Sequence, residues 1–366
     1  MEWYEIANES AIDSPSLLLY KDRLDFNLNT LLEMVGMDPS RLMPHVKTNK
    51  SGKVISEMIA KGITRFKAAT IAEAELAAQS GAKEVLISHQ LVGPKIDRFL
   101  ALRKGYTNTH FFTLIDNVQS LQELNAKAAN RLLGFYLDVN NGMHRSGIVP
   151  ELINDELLHE IKESKNLYFR GLHVYDGQHR NADFEDRKSN ILEGWRAIKE
   201  IWKQIKNDYP KVEIIAGGTP SFSTHLLEKD RVCSPGTCVF WDAGYEKILS
   251  EQPFKAAVVV FTRIISKPTK GIITVDMGHK AVASENSIDK RIQFLNLMDY
   301  EFISQSEEHG VLKVENWDSL QVGDVLYGIP YHICPTVNLY EELHVVELHN
   351  VNTTWNIEAR KRRITY

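Results

Sequence analysis

The sequence has few cysteines and no long apolar run. Its three cysteines are an odd number, too few for a disulfide framework, which is typical of proteins from a reducing compartment. The longest apolar run, 256–261, is far too short to span a bilayer, and the acidic N-terminus lacks the basic-then-apolar pattern of a signal peptide. We therefore expect a cytoplasmic protein without a membrane partner.

An excess of basic charge is also missing. The formal net charge is −5 at pH 7, and no cluster of lysine and arginine precedes the C-terminal tail. A nucleic-acid-binding surface requires such a cluster, so we expect no nucleic-acid partner. With 43% hydrophobic and 25% charged residues, the composition is that of an ordinary globular protein.

Short apolar runs alternate with amphipathic helical segments up to residue 216. The strand-like runs are 16–20, 42–47, 65–69, 84–88, 110–115, 133–139, 168–175 and 212–216. Each intervening helix would return the chain for another parallel strand, and eight such units in about 220 residues have the size of a (β/α)8 barrel. A doubly wound open sheet is disfavoured because no Gly-x-Gly-x-x-Gly follows the first strand.

The pattern changes after residue 250. Strand-like runs separated by turn-forming residues follow at 256–265, 271–275, 292–296, 310–314, 322–327 and 343–348. Little helical periodicity remains, which favours a smaller, mostly-β domain. We therefore predict an α/β fold, with a barrel over 15–250 and a mostly-β C-terminal domain over 251–366 that residues 1–14 join.

The stretch 42–51 places His45 and Lys47 at the end of the second predicted strand, just after Pro44. Residues two apart lie on one face of a strand, so both side chains would point the same way. A lysine amine at a strand end with few carboxylates nearby can lose its proton near neutral pH, as condensation with a carbonyl requires. Lys47 is therefore a candidate Schiff-base lysine, although a single lysine is more often a solvated surface residue.

Other functional side chains follow the later strands, at the edge where barrel enzymes place their active sites. They are Arg145 in the stretch 138–147, and Tyr175, Gln178 and His179 in the stretch 173–179. Two loops of small residues, 217–221 and 234–237, offer hydroxyls and backbone N–H groups that suit a phosphate dianion. A phosphate cradle, an arginine, an aromatic ring and a lysine together indicate pyridoxal 5′-phosphate, whose aldehyde requires the lysine.

A candidate metal pair, His332 and Cys334, lies in the stretch 330–336 of the predicted β domain. On an extended chain, side chains two residues apart point the same way, so one imidazole and one thiolate could share an ion. This pair suits Zn²⁺, with Mn²⁺ or Mg²⁺ as alternatives, whereas an isolated His-x-Cys is more often structural.

These motifs resemble those of the alanine-racemase-like fold type III pyridoxal phosphate enzymes, and among them the D-threonine aldolase and D-serine dehydratase family. The resemblance extends over 15–340; the stretch 44–50 is similar to the Schiff-base lysine motif, and 142–147 to the arginine motif. It implies that Lys47 carries the cofactor, that Arg145 approaches its phenolic oxygen, and that Tyr175 lies against its pyridine ring.

The resemblance further implies which residues hold the phosphate: Gly217, Gly218, Thr219, Gly236 and Thr237. His332 and Cys334 coincide with the position where the family binds a divalent metal, through His and Cys in dehydratases or His and Asp in D-threonine aldolases. Because enzymes of this fold type pair head to tail, the resemblance also implies a homodimer.

The activity that the resemblance implies is that of a lyase acting on D-3-hydroxy amino acids. Removal of the α-proton by Lys47 would lead to dehydration, giving a keto acid and ammonia, whereas removal of the hydroxyl proton would lead to retro-aldol cleavage, giving glycine and an aldehyde. Cys334 favours dehydration, but the stretch 335–340 resembles the aldolases. Gln178 and His179 are candidates for proton transfer or carboxylate binding, and His45 is a further candidate beside Lys47.

Two other functions are disfavoured. Alanine racemases carry an arginine at the position of Ser234, next to the pyridine nitrogen, and a serine there cannot supply a fixed positive charge. We count Ser234 among the cofactor-binding residues but expect no simple racemase. A non-catalytic pyridoxal phosphate-binding protein of the small single-barrel type would lack the second domain that this sequence predicts.

Overall fold

The computed structural model describes residues 1–129 and 131–366. The chain forms two compact units. One, here called the β unit, contains residues 1–31, 48–53 and 237–360, and the other, the barrel unit, contains 32–47, 54–236 and 361–366. Among the described residues, none of the helices combines the length and the apolar character needed to cross a bilayer.

The secondary structure follows in chain order. The strands are β1 (Ser16–Tyr20), β2 (Arg65–Ala68), β3 (Glu84–Gln90), β4 (His110–Ile115), β5 (Leu133–Asn140), β6 (Leu167–Tyr175), β7 (Glu213–Ala216), β8 (Arg231–Cys233), β9 (Val258–Thr269), β10 (Ile272–Val275), β11 (Ile292–Phe294), β12 (Tyr300–Gln305), β13 (Gly310–Val314), β14 (Val325–Pro330), β15 (Glu342–Glu347) and β16 (Asn350–Asn356). The α-helices are α1 (Lys21–Met34), α2 (Gly52–Ala60), α3 (Ile71–Gln79), α4 (Pro94–Gly105), α5 (Val118–Ala128), α6 (Asp155–Glu163), α7 (Phe184–Gly194), α8 (Arg196–Asp208), α9 (Phe222–His225), α10 (Ala243–Ile248) and α11 (Ile333–Val337).

The barrel unit contains a parallel sheet of seven strands, β2 to β8, in sequential order. A short extended segment, 42–46, here called the bridging segment, pairs with both edges of this sheet. On one side Met43 N–H donates to Cys233 O at 2.9 Å, and on the other Lys67 N–H donates to Pro44 O and Val46 N–H to Lys67 O, both at 2.9 Å. The segment thereby takes the eighth position and joins β8 to β2.

Pro44 explains why the bridging segment is not a regular strand. Proline lacks the N–H that a ladder needs, so only isolated parallel bridges form, between Leu42 and Cys233 and between His45 and Lys67. The predicted combination of a parallel α/β barrel with a smaller mostly-β domain is confirmed, with the second predicted strand reduced to these bridges.

The sequence pattern predicted that the strand at 16–20 belongs to the barrel, but in the structure it does not. It is β1 of the β unit, where it pairs antiparallel with β9 and parallel with β15. All five residues of β1 are buried. A strand that is covered on both faces has the same continuous apolar sequence in a barrel as in any other buried sheet, so the sequence cannot distinguish the two. The last barrel strand is instead β8, whose three residues are too few to give a clear pattern.

The β unit is built on a nine-stranded sheet in the order β12-β13-β10-β9-β1-β15-β16, with β14 pairing β9 and β11. The N-terminal residues Tyr4, Ile6 and Ile12 pack into its core beside Phe261 and Tyr327. The first residues of the chain thus lie within the β unit, as do β1 and the strands that follow residue 257.

Ionic side chains fill the amino-terminal end of the barrel. Arg65, Glu84 and Glu213 begin three of its strands, and Arg65 Nε lies 2.8 Å from Glu84 Oε2. Glu213 Oε1 accepts from the Tyr136 hydroxyl at 2.6 Å and from Arg170 at 3.2 Å, and it also pairs with Arg65. Two arginines therefore balance two glutamates at this end of the barrel.

Candidate active site

A cavity of about 410 Å³ opens at the carboxyl ends of the barrel strands. Its lining comes from the bridging segment, β2 to β6 and the loops that follow them, and consists of His45, Lys47, Lys67, Ala69, Ser88, His89, Gln90, Leu114, Asp138, Arg145, Ser146, His173 and Tyr175. The size suits a small organic ligand. The structure therefore brings four of the predicted site residues together: His45, Lys47, Arg145 and Tyr175.

Lys47 follows directly on the bridging segment, and its position is set by His45. The Lys47 backbone N–H donates to His45 Nδ1 at 3.3 Å, which leaves the proton of this neutral ring on Nε2, 3.3 Å from Ser88 Oγ. His45 is buried, whereas Lys47 is only partly buried and lines the cavity. His45 therefore orients the turn before Lys47.

The Arg145 guanidinium lies over the face of Tyr175, with its carbon 4.8 Å from the ring centre. The loop that carries Arg145 is shaped by Asn140, whose Oδ1 accepts from the backbone N–H groups of Gly142 at 3.1 Å and His144 at 3.0 Å. Gly147 closes the loop at φ +92°, where a Cβ would lie 2.7 Å from Asn140 N. Only glycine fits there, because the backbone passes too closely.

A buried chain of polar groups, which sequence reasoning missed, lies beside Lys47. Lys67 Nζ is 3.4 Å from His173 Nε2, His173 Nδ1 is 2.7 Å from Asp138 Oδ1, and Asp138 Oδ2 accepts from Gln90 at 2.8 Å. Burial alone would raise the pKa of Asp138, but the hydrogen bonds from His173 and Gln90 lower it. The sequence signal that could have revealed this group is Lys67, a charged residue inside the predicted strand 65–69.

The loop Gly217-Gly218-Thr219 follows β7 and leaves no room for side chains. A Cβ on Gly217, which has φ +65°, would lie 2.4 Å from Ser221 Oγ, and a Cβ on Gly218 would lie 2.7 Å from the Tyr175 ring. Thr219 Oγ1 accepts from Gly236 N–H at 3.2 Å, so the two predicted phosphate loops meet. Thr237 is the next residue in the chain and belongs to the β unit.

Ser234 is buried, and its hydroxyl does not line the cavity. Its Oγ donates to Met43 O at 2.9 Å, which ties the loop after β8 to the bridging segment. Gln178 and His179 also lie outside the cavity lining. Gln178 Nε2 donates to Asn141 O at 2.6 Å and lies 3.2 Å from His179 Nε2, and burial lowers the pKa of His179.

A second buried network, centred on Asp176, supports the glycine loop. Asp176 follows Tyr175 and accepts from Trp195 Nε1 at 3.1 Å, from His225 Nε2 at 2.7 Å and from the Ser221 hydroxyl. Arg231 lies 2.6 Å from His225 Nδ1, and because arginine can only donate, this nitrogen accepts, while Nε2 donates to Asp176.

The three donors determine the charge of Asp176. Burial would raise the pKa of this carboxyl, but His225, Ser221 and Trp195 lower it to about 2. Ser221 Oγ in turn accepts from Gly218 N–H at 3.2 Å. The carboxylate is therefore the anchor of the loop that sequence reasoning assigned to phosphate binding.

In the β unit, His332 Nδ1 lies 2.5 Å from Glu285 Oε1, and Cys334 Sγ lies 3.1 Å from Thr48 Oγ1 and 3.6 Å from Thr237 Oγ1. The pair is not on an extended stretch, contrary to expectation, because Cys334 lies in the first turn of α11. Burial would lower the pKa of His332, but Cys334 and Glu285 raise it to about 9. Among the described residues, no group of three or more His, Cys, Asp and Glu side chains forms a complete metal cage.

Replacing Asp176 by Asn should destabilise the chain by about 2–4 kcal/mol, because the amide lacks the carboxylate charge that Trp195 and His225 stabilise, and its nitrogen would face the Ser221 hydroxyl, which then could not donate to it. Urea unfolding at pH 7 measures this change. Asp208→Asn, at an exposed helix end, is the matched control and should leave the midpoint unchanged. An unaltered midpoint for Asp176→Asn would contradict the proposed anchor.

The same network gives the wild-type chain an acid sensitivity. Because folding lowers the pKa of Asp176 from 3.8 to about 2, its contribution to stability is complete above about pH 4 and is lost as the pH falls towards 2. The Asn variant should lack this component of the pH dependence.

Sequence profiles of two families match the chain. That of the alanine racemase N-terminal domain matches residues 20–243, and that of a putative serine dehydratase domain matches residues 257–346. Among curated proteins, a 3-hydroxy-D-aspartate aldolase of Paracoccus denitrificans (strain Pd 1222) is 29% identical over 96% of this chain and 93% of its own length.

Solved structures show the same fold. A D-threonine aldolase from Filomicrobium marinum has a TM-score of 0.86 at 24% identity, covering 97% of this chain and 98% of its own. The D-threo-3-hydroxyaspartate dehydratase from Delftia sp. HT23 has a TM-score of 0.79 at 20% identity, covering 95% and 98%, and a variant of that dehydratase is described in a metal-free form.

Proposed function

Because the chain belongs to the alanine racemase N-terminal domain family, we propose that it is a pyridoxal phosphate- and metal-dependent lyase acting on D-3-hydroxy amino acids. The observation that carries this proposal is the presence in one chain of Lys47, which lines the barrel cavity, and of a His332–Cys334 donor pair in the region that matches the putative serine dehydratase domain. The aldolase and dehydratase named among its relatives support the substrate class.

The barrel residues fit pyridoxal phosphate. Gly217 and Gly218 expose backbone where any Cβ would collide, as a phosphate-binding loop requires, and Lys47 lines a cavity of suitable size. The residues of the barrel unit that would hold the cofactor are Lys47, Arg145, Tyr175, Gly217, Gly218, Thr219 and Gly236. When bound, pyridoxal phosphate withdraws electrons from the Cα of an amino acid attached through its amine.

The donor pair in the β unit fits a divalent metal, and we propose Zn²⁺. His332 uses Nδ1 for the Glu285 carboxylate, and its imidazole also hydrogen-bonds the Cys334 side chain, so the two proposed donors lie next to each other. A carboxylate behind an imidazole is the usual support of a metal-binding histidine, and the Cys334 thiolate supplies a soft second donor. A metal held there would act as a Lewis acid on the 3-hydroxyl oxygen.

The chain's own groups then determine which bond breaks. If Lys47 Nζ takes the α-proton and the 3-hydroxyl leaves as water, hydrolysis of the released enamine gives a keto acid and ammonia. If the 3-hydroxyl loses its proton instead, the Cα–Cβ bond breaks to release an aldehyde, and a proton added to Cα gives glycine. We propose dehydration first, because Cys334 matches the dehydratase pattern; the aldolase identity of the relative at 29% keeps retro-aldol cleavage as the second candidate.

Racemisation is not supported by Ser234. Its hydroxyl donates to Met43 O and offers no positive charge, whereas the racemase pattern requires an arginine at this position. The second domain likewise distinguishes this chain from the small single-barrel type of binding protein. Both alternatives are therefore disfavoured.

We further propose that the protein is a cytoplasmic homodimer, as the family resemblance implies. Light scattering of the purified chain at micromolar concentration should give twice the mass of the single chain. A single-chain mass under these conditions would contradict the dimer.

Lys47 should be the residue that carries the cofactor. Borohydride reduction of the loaded protein should fix the pyridoxyl label on Lys47, as read by peptide mass spectrometry, and Lys47→Ala should abolish the label. Lys53→Ala, an exposed lysine nearby in the sequence, is the control that should label normally. A label on Lys50 or Lys53 in the wild-type chain would refute the assignment.

Metal should be needed for turnover but not for cofactor binding. Chelation, or His332→Ala, should abolish the release of keto acid and aldehyde from D-serine, D-threonine and D-3-hydroxyaspartate, while the Lys47 label persists. His110→Ala removes an exposed histidine and should change neither property.

The products of the untreated enzyme distinguish the two reactions. Ammonia with a keto acid indicates dehydration, and glycine with an aldehyde indicates retro-aldol cleavage. Full turnover after chelation would return His332 and Cys334 to a structural role.

A further inference from the structure

Gln90 lines the cavity at a point where strand β3 is irregular. Ile87 pairs with Thr113 on β4, but the next pair joins Gln90 to Leu114, so β3 contains two extra residues between these pairs. Three consecutive residues, 88–90, consequently line the cavity, whereas a regular strand would turn alternate side chains away from it. Bulges beside active sites often redirect a side chain, and here the bulge directs the Gln90 amide towards the ends of the next two strands.

The Gln90 amide nitrogen joins two carboxylates at those strand ends. It donates to Asp116 Oδ2 at 2.9 Å and to Asp138 Oδ2 at 2.8 Å. Asp116 directly follows β4, and Asp138 lies near the end of β5. Because an ionised carboxylate can only accept hydrogen bonds, an uncharged NH2 group with two donors can satisfy both of them. Without this amide, two negative groups would face each other.

Both carboxylates also hold the end of the loop that carries Arg145. Asp116 Oδ2 accepts from the Gly147 backbone N–H at 3.2 Å, and Asp138 accepts from the Ser146 side chain. These are the two residues that follow Arg145 in the chain. The end of the loop is therefore attached to the ends of β4 and β5 through the carboxylates that the amide joins.

The Arg145 side chain depends on this attachment for its position. It is exposed, and its guanidinium packs over the face of Tyr175 at 4.8 Å from the ring centre. A long, exposed side chain loses much conformational freedom when a ligand immobilises it. A loop that is already fixed reduces this loss, because the backbone at Arg145 is in place before the ligand arrives.

We propose that Gln90 is a positioning residue that acts through Arg145. Its amide holds the two carboxylates together, and they fix the loop from which Arg145 reaches the cofactor. This inference rests on the proposed role of Arg145 as a cofactor-binding residue. It assigns a function to a cavity residue that no sequence motif indicated.

The first test measures amide hydrogen exchange of the loop 141–147 in the cofactor-free chain by mass spectrometry. Gln90→Met keeps the length of the side chain but removes both donors, so the loop should exchange at least about tenfold faster, as expected for a lost hydrogen bond to a charged group. Gln90→Glu places a third carboxylate against the other two and should increase exchange further. Gln122→Met is the matched control, because it removes an exposed amide that donates to Glu160 at 3.1 Å. Unchanged exchange in Gln90→Met would overturn the inference.

The second test is a double-mutant cycle on the affinity for pyridoxal 5′-phosphate, titrated into the cofactor-free chain and followed by absorbance. Gln90→Met should weaken binding about tenfold, the usual cost of ordering one or two long side chains. In an Arg145→Met background the same change should have little further effect, because the group through which Gln90 acts is gone. A role confined to packing would weaken binding by the same factor in both backgrounds. If Gln90→Met does not fold, as judged by circular dichroism, Gln90→Ala takes its place in both tests.

The outcomes separate this inference from the proposed function. Equal losses of affinity in the two backgrounds, with the borohydride label still on Lys47, would overturn the inference alone. An unchanged affinity in Arg145→Met would overturn the proposed role of Arg145 and the inference with it. A label on another lysine would overturn the assignment of Lys47, whereas faster exchange of the loop in Gln90→Met would still support the positioning role. Faster exchange, with a loss of affinity that requires Arg145 and the label on Lys47, would support both.

Discussion

The bridging segment, 42–46, is the constraint on which the barrel and its site depend. Its backbone pairs with β8 on one side and β2 on the other, so the sheet has no open edge there. Pro44 stops this pairing from becoming a full ladder, and His45 turns the chain so that Lys47 follows at the cavity. The residue that performs the proposed condensation is therefore placed directly after the segment that closes the barrel.

The two ends of the barrel differ in how their charges are balanced. At the amino-terminal end, Arg65 and Arg170 meet Glu84 and Glu213 directly, and the pairs satisfy one another. At the carboxyl end the cations exceed the carboxylates, and no side chain of the cavity lining corrects the difference. A surplus of positive charge costs stability unless an anion binds there, which fits a cofactor with a phosphate and a substrate with a carboxylate.

The sequence predicted the features that depend on local pattern. The run 42–47, the glycine loop at 217–219 and the position of Arg145 follow from short motifs, and the structure gathers or joins them in the barrel unit. The sequence could not assign the strand at 16–20 to the correct sheet, because a fully buried strand has the same apolar pattern in either unit. Lys67 was missed because its meaning depends on His173, a residue more than a hundred positions away.

The end of β6 shows why such pairings escape a motif search. Side chains alternate along a strand, so Tyr175 faces the cavity while Asp176 points the other way, beneath the glycine loop. Asp176 holds Ser221, and Ser221 holds the backbone of Gly218, which lies against the Tyr175 ring. One strand end thus fixes both the aromatic ring and the loop beside it. A change in the buried carboxylate must therefore disturb the cavity, although Asp176 does not line it.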